Sequence, residues 1–217
     1  MIPRVIHTVW VGDEKKRPDN CIATWRERNP AWEIRVWGNA ELEGLGWINK
    51  RHMAAMQAKG EWNGVADLMR WEILLLNGGF AVDADSICLR ALEDWLFESR
   101  GAAGIENEHA CPGLLAAGYV ATEPHDRIVS QIVDDVSAAS SVTYDAAWVT
   151  VGPKRLTDTY DRMKLEHRNW RIWPSHYFIP THHSGVKYTG PGPIFAEQRW
   201  GTTFGIYDGL HQERLQP

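Results

Sequence analysis

The stretch Gly78-Gly79-Phe80-Ala81-Val82-Asp83-Ala84-Asp85 combines a helix end, a short apolar strand and two carboxylates. The preceding residues 63–77 predict a helix that begins at the N-cap Asn63 and ends at the two glycines. Its later part is apolar almost all round, which is typical of a buried helix. Residues 80–82 then predict a strand with Asp83 at its carboxyl end, where ligands bind in open α/β sheets.

Strand-like and helix-like segments alternate on both sides of this stretch. The predicted strands cover residues 3–11, 32–37, 102–106 and 114–121, and the predicted helices cover 19–28, 50–59, 91–97, 125–138 and 153–163. Residues 174–204 are rich in proline, glycine, histidine and aromatic residues and predict long loops. This order predicts an α/β fold with a mostly parallel central sheet flanked by helices.

Length and composition limit the classes of protein to which the chain can belong. Its 217 residues suit a single domain over 1–217 with a sizeable core. The net charge of −5, without a basic block, argues against nucleic acid or an anionic membrane as the main partner. No apolar run approaches the ~18 residues of a transmembrane helix, and we expect a cytoplasmic protein. The three cysteines match no zinc or redox spacing and are expected to be reduced thiols.

Two pairs of residues carry the chemistry of a binding site. Asp83 and Asp85, two residues apart at a strand end, can reach one hard ion such as Mg²⁺ or Mn²⁺. Such an ion neutralises charge on a departing diphosphate. Asp67 and Arg70 lie three residues apart on the predicted helix and share a face. They form either a surface ion pair or a carboxylate and a guanidinium directed into a pocket.

Aromatic residues add a weaker indication. The chain has twelve tryptophans, and tryptophan is a favoured surface for stacking flat rings. Trp10, at the end of the first predicted strand, is either a core aromatic or a stacking surface for a nucleobase. His7 in the same strand is expected to be a core histidine with satisfied hydrogen bonds.

The order and spacing of several segments resemble the glycosyltransferases whose sugar-binding region contains a DXD motif, family 32 and its relatives. The segments that carry this resemblance are residues 3–12, 25–33, 66–74, 78–85, 150–153 and 173–180. Asp83-Ala84-Asp85 stands at the position of the motif itself. The central layout is also similar to the catalytic core of the glucosylating clostridial toxins, which are far larger.

The resemblance implies a Rossmann-like fold of the GT-A type and a retaining, metal-dependent transfer of a hexose. The donor would be a UDP- or GDP-sugar, and the acceptor a glycan or another hydroxyl compound, as in polysaccharide biosynthesis. Residues 1–95 would form the nucleotide-sugar-binding half, and residues 96–217 the acceptor side with the C-terminal loops.

The resemblance also assigns roles to individual residues. Trp10 would stack on the base, and Thr8 would belong to the same nucleotide-binding set. Asp67 and Arg70 would contact the donor sugar. Asp83 would face the ribose, the sugar and metal-bound water, while Asp85 would bind Mn²⁺ or Mg²⁺. The candidate catalytic residues are Asp67, Arg70, Asp83 and Asp85.

The sequence departs from the family pattern at two places. Ala81 stands where relatives often have tyrosine, so that one donor contact would be absent. Near the C-terminus, Gln198 stands in residues 196–203 where relatives often have histidine, and glutamine is a poorer metal ligand. The upstream pair His182-His183 would supply the missing ligand or would be two exposed loop histidines. Trp200 would close over the donor phosphates or pack against the protein.

These departures leave two alternatives open. One is a degenerate relative that binds nucleotide-sugar or glycan without transferring it. The other is a phosphohydrolase with a dinuclear metal site built from Asp83, Asp85, His182 and His183. That alternative leaves Trp10 and the spacing of Asp67 and Arg70 without a role.

Overall fold

The computed structural model describes residues 1–164 and 166–215 and has an α/β fold. Its strands are β1 (Val5–Val9), β2 (Glu33–Trp37), β3 (Gly79–Val82), β4 (Ser86–Cys88), β5 (Gly101–Asn107), β6 (Cys111–Thr122), β7 (Trp170–Trp173) and β8 (Ala196–Gln198). Its helices are α1 (Asp19–Arg28), α2 (Asn39–Gly44), α3 (Lys50–Ala58), α4 (Trp62–Asn77), α5 (Arg127–Ala138), α6 (Ala147–Thr150), α7 (Pro153–Arg162), α8 (Gly201–Phe204) and α9 (Tyr207–Leu210).

A six-stranded sheet in the order β2-β1-β3-β6-β5-β7 forms the centre of the fold. β1 is parallel to β2 and β3, and β5 is parallel to β7. Within this sheet, β6 runs antiparallel to both of its neighbours, β3 and β5. The predicted α/β class with a mostly parallel sheet is therefore confirmed. Because β1, β3 and β5 point the same way, the residues that follow them lie at one edge of the sheet.

The turn from α4 into β3 depends on two glycines. Gly78 and Gly79 have φ angles of 62° and 97°, in the region that favours glycine. A Cβ atom at Gly79 would lie 2.6 Å from the carbonyl oxygen of Val5, and one at Gly78 would lie 2.7 Å from that of Thr122. The glycine pair therefore allows α4 to end directly against the sheet, which positions Asp83 at the strand end.

α4 is the central buried helix, in agreement with its apolar sequence. It packs against β1 and β3 as well as against α3 and α5. Its buried Glu72 accepts hydrogen bonds from the backbone N–H groups of Ile48 and Asn49, at 2.7 and 2.8 Å, beside the start of α3. The same helix buries Asp67 and Arg70. Buried charged side chains need charged or hydrogen-bonding partners, and the partners of Asp67 and Arg70 belong to the candidate site.

His7 is a core histidine with satisfied hydrogen bonds, as expected. Its Nδ1 accepts a hydrogen bond from Trp37 Nε1 at 3.1 Å, so its Nε2 carries the proton donated to the Gly78 carbonyl at 2.9 Å. Burial lowers the pKa of His7 to about 4 and keeps the ring neutral. All three cysteines are free thiols. Among the described residues, none of the helices combines the length and apolar character needed to cross a membrane.

Several local predictions are wrong. α4 begins at Trp62 after Glu61, so Asn63 lies in the first turn and is not the N-cap. Of residues 91–97, only Asp94–Phe97 is helical, and it forms a short 3₁₀ helix that buries two of its apolar side chains. The predicted loop 174–204 contains β8, which pairs with β4 over a hundred residues earlier. Nonlocal pairing of this kind leaves little local sequence signal.

Candidate active site

A pocket of about 590 Å³ opens where β1 and β3 end and where the chain continues beyond β8. The predicted site residues that line it come from four separate parts of the chain. They are Trp10, Asp67, Arg70, Asp83, Asp85 and Trp200. The fold therefore brings together residues that lie far apart in the sequence.

The floor of the pocket is organised by Arg70. Its guanidinium forms ion pairs with Asp67, one helical turn earlier, and with Asp83 at the end of β3. The side chains of Arg70 and Asp67 are 7% and 11% exposed, whereas that of Asp83 is 33% exposed. This arrangement excludes the surface ion pair, because a buried guanidinium held by two carboxylates is a built feature of the pocket.

Gln198 joins the two aspartates of the motif. Its Nε2 donates hydrogen bonds to Asp83 Oδ2 at 3.2 Å and to Asp85 Oδ1 at 2.9 Å. The other oxygen of Asp85 accepts a hydrogen bond from the Gly201 N–H at 2.5 Å. Pairing of β4 with β8, in which Ser86 lies opposite Gln198, brings the glutamine to this point.

The pocket floor carries an excess of negative charge. It holds the carboxylates of Asp67, Asp83 and Asp85 against the single guanidinium of Arg70. Burial raises the pKa of Asp67 to about 7, in spite of its ion pair with Arg70. Burial and the neighbouring charge of Asp83 raise the pKa of Asp85 to about 6. A cation bound at this floor would favour the charged forms of these carboxylates, which burial and the neighbouring negative charge both disfavour.

Aromatic side chains form the walls of the pocket. Trp10 packs edge-on against Tyr207, with ring centroids 4.8 Å apart, and its Nε1 donates to the Asp13 carbonyl at 3.0 Å. Trp62 and the half-exposed Trp148 line the same pocket. Sequence reasoning did not single out Trp62, Trp148 or Tyr207. The high tryptophan count was the only signal for the two tryptophans, and Tyr207 had none. Flat rings on several walls suit the stacking of bases and sugars.

Some predicted site residues do not line this pocket. Thr8 is 1% exposed, and its side chain faces a small apolar gap beside Ile22 and Trp25. Ala81 is likewise buried in the core. His182 and His183 lie against the ring of Trp200 and form a group with Glu106. A role for either histidine as ligand to an ion on Asp83 and Asp85 stays a prediction.

The sequence matches no protein-family profile. Parts of it are similar to two other proteins. "Subversion of eukaryotic traffic protein A" of Legionella pneumophila is 20% identical over 161 residues, which cover 62% of this chain and 25% of that protein. An uncharacterized glycosyltransferase of Acanthamoeba polyphaga mimivirus is 29% identical over 109 residues, which cover 44% of this chain and 40% of that protein. The chain thus spans less than half the length of either relative.

Three solved structures share the fold. The PaToxG glycosyltransferase superimposes with a TM-score of 0.60 at 16% identity, over 75% of this chain and 70% of that one. The glycosyltransferase domain of the YGT toxin gives 0.56 at 9% identity, over 79% of each chain. A glycosyltransferase involved in glycosylation of the major capsid of PBCV-1 gives 0.52 at 10% identity, over 96% and 98%. The chain therefore has the GT-A type of fold that these glycosyltransferase domains share, which is the fold that the sequence resemblance implied.

Proposed function

We propose that this domain is an active, metal-dependent glycosyltransferase that moves a hexose from a UDP- or GDP-sugar to a hydroxyl group of a glycan or another acceptor, with retention of configuration. The observation that carries the proposal is the pocket at the sheet edge. Its floor combines Asp67, Arg70, Asp83 and Asp85, and its walls are aromatic. The fold shared with glycosyltransferase domains supports the same activity.

The residues of the floor fit a hard divalent ion such as Mn²⁺ or Mg²⁺. Gln198 Nε2 stands between Asp83 Oδ2 and Asp85 Oδ1, and Gln198 Oε1 accepts a hydrogen bond from Tyr119 Oη at 2.9 Å. The two ends of a glutamine amide can be exchanged by a half-turn, after which three oxygens would face one point. A hydroxyl can also accept a hydrogen bond from the amide nitrogen, so Tyr119 remains satisfied. Carboxylate and amide oxygens are ligands that these ions prefer.

Charge explains why an ion is needed for this donor. A diphosphate approaching the floor would meet three carboxylates and one guanidinium, so without a cation it would be repelled. When bound to Asp83, Asp85 and Gln198, the ion would supply charge neutralisation for the leaving diphosphate. Besides the metal ion, the ammonium group of Lys16 could contact the phosphates. Lys16 lines the pocket and forms an ion pair with Asp208 at 2.7 Å.

The other side chains would orient the donor. Trp10 offers its ring to the base, held in place by Tyr207 and the Asp13 carbonyl. Asp67 and Arg70 would hydrogen-bond the hydroxyl groups of the sugar. In the transfer, the bond between the anomeric carbon and the diphosphate oxygen breaks, and the acceptor oxygen bonds to that carbon on the same face. The acceptor proton leaves with the diphosphate, so no separate inverting base is required.

Calorimetric titration of UDP and of GDP, each with and without Mn²⁺, tests this proposal. We expect one of the two nucleotides to bind the native protein in a Mn²⁺-dependent manner. In Asp85→Asn the affinity should fall at least tenfold, about 1.4 kcal/mol, because one ligand charge is lost. Asp94→Asn is a suitable control, since this aspartate is 77% exposed and pairs only with Arg4 among the contacts described. If neither nucleotide bound a folded sample, the proposal would be wrong.

A second prediction concerns Gly118 of β6, which lines the pocket beneath Asp83. A Cβ atom at this position would lie 2.2 Å from Asp83 Oδ2, so Gly118→Ala must displace the carboxylate. We expect Mn²⁺-dependent nucleotide affinity to fall at least about tenfold, or 1.4 kcal/mol. The matched control is Gly104→Ala on the neighbouring strand, where the nearest atom, Tyr119 Cβ, lies at 3.7 Å. Equal affinities in the two variants would contradict the role of Asp83.

A further inference from the structure

Three side chains of types that can bind a metal ion lie close together outside the residues that line the pocket. Glu106 near the end of β5, together with His182 and His183 of the loop after β7, offers three ligand atoms that all lie within 4.8 Å of one another. His182 Nε2 is 3.3 Å from Glu106 Oε1. The side chains of His182 and Glu106 are 7% and 14% exposed, while His183 is exposed.

The loop that carries the two histidines is held in shape by its own backbone. The N–H of His182 donates to the Val186 carbonyl at 2.9 Å, and the N–H of Gly185 donates to the His182 carbonyl at 2.8 Å. His182 Nδ1 lies 2.8 Å from Ser184 Oγ, which leaves Nε2 directed towards Glu106. As a metal ligand through Nε2, His182 would carry its proton on Nδ1 and donate it to Ser184 Oγ, a hydrogen bond that orients the ring.

We propose that Glu106, His182 and His183 bind one divalent transition-metal ion, with zinc as the best match, at a site separate from Asp83 and Asp85. With bonds of about 2.0–2.2 Å to a tetrahedral ion, neighbouring nitrogen and oxygen ligands stand about 3.3–3.5 Å apart. The separation of His182 Nε2 from Glu106 Oε1 already has this value. Two imidazoles and a carboxylate are a common ligand set for zinc.

The surroundings favour zinc over the hard ions expected at the pocket floor. Cys111 Sγ lies 3.9 Å from His182 Nε2 but does not belong to the three-residue group, so the preference for zinc depends on the two imidazoles. Imidazole and thiolate ligands select zinc and similar ions, whereas magnesium, calcium and manganese prefer oxygen ligands alone. The two groups would therefore prefer different ions.

The site would act on the pocket through Trp200. The ring centroids of His182 and His183 lie 5.3 and 5.1 Å from that of Trp200. Trp200 Nε1 also donates a hydrogen bond to the Thr181 carbonyl at 3.1 Å. Trp200 lines the pocket and has a left-handed backbone, with φ of 57°, which is costly for a residue other than glycine. An ion that ties the histidine loop to β5 would stabilise the wall that Trp200 forms.

Zinc titration of tag-free, chelator-treated protein tests the proposal. We expect one zinc ion per chain in the native protein and also in Asp85→Asn, since that variant alters only the pocket floor. Glu106→Gln and His183→Ala should each weaken zinc binding by more than about 100-fold, because even the loss of a residue that only hydrogen-bonds to a ligand costs about 10–100-fold. Zinc should also raise the melting temperature of the native protein but not of these two variants.

The matched control is His125→Asn, which removes an exposed histidine far along the chain from the cluster. His125 has φ of 59°, and asparagine tolerates that conformation. Thermal melts of the metal-free variants verify that each is folded. The proposal is overturned if native protein binds no zinc, if His183→Ala and Glu106→Gln bind it as tightly as His125→Asn does, or if binding disappears in Asp85→Asn. In the last case the zinc would belong to the pocket floor, and the proposed donor site would remain supported.

Discussion

Replacing Asp85 by alanine is expected to reduce sugar transfer by at least about 10²–10³-fold, the usual effect of removing one group that stabilises charge in a transition state. Asp85 is 4% exposed, and its two carboxylate oxygens accept hydrogen bonds from Gln198 and from the Gly201 N–H. The measurement is release of UDP or GDP from a panel of nucleotide hexoses with Mn²⁺, with and without acceptor glycans. The protein should remain folded, because burial of this charge is itself unfavourable, as its raised pKa indicates.

The control for this experiment is Asp158→Ala, which removes a carboxylate that is 52% exposed and pairs with Lys154 on α7. It should leave the rate of nucleotide release unchanged. A folded Asp85→Ala variant with native turnover in Mn²⁺ would refute the assignment of Asp85. Tight nucleotide binding by the native protein, without release from any donor or transfer to any acceptor, would instead favour the degenerate relative.

Replacing Arg70 by methionine is expected to destabilise the fold by about 3–5 kcal/mol, because the buried carboxylate of Asp67 and the partly exposed carboxylate of Asp83 lose their common partner. Its side chain is 7% exposed and forms ion pairs with both Asp67 and Asp83. For a chain of this length, each kcal/mol lowers the melting temperature by roughly 2–4 °C, so the expected decrease is about 6–20 °C. Thermal and urea-induced unfolding measure the effect.

A double variant separates loss of charge compensation from loss of packing. Asp67→Asn combined with Arg70→Met should be more stable than Arg70→Met alone, because it removes one of the uncompensated carboxylates. Lys154→Met is the exposed counterpart, since its ion pair with Asp158 spans one helical turn in solvent and should contribute at most about 0.5 kcal/mol. Similar destabilisation by Arg70→Met and Lys154→Met would show that the buried ion pairs do not hold the pocket floor.

Local sequence patterns predicted the frame of the site correctly. The glycine pair after a buried apolar helix predicted that Asp83 follows a short strand, and the structure has that turn. The spacing of Asp67 and Arg70 predicted a shared helical face. Wrong predictions concerned segments without a clear period or cap, such as the start of α4 and the short helix at Asp94–Phe97.

From the sequence, His182 and His183 were candidate ligands for an ion on Asp83 and Asp85, and their contact with Glu106 had no sequence signal. Both histidines contact the ring of Trp200, and they belong to a loop that the fold brings close to Glu106. Glu106 had no distinguishing pattern of its own. Only the parallel course of β3 and β5 brings the ends of these strands, and hence Asp83 and Glu106, to the same edge.

By itself, the sequence determined the α/β class, the strand end at Asp83 and the carboxylate–guanidinium pair of α4, because helix period, strand alternation and turn glycines are local properties of the chain. Only the tertiary structure decided that Gln198 joins the two aspartates, that Thr8 faces the core, and that Tyr207 supports Trp10. Those contacts link residues up to almost two hundred positions apart. They depend on the order of the strands in the sheet and on the pairing of β4 with β8. Nonlocal pairing of this kind produces no periodic sequence pattern within a single segment.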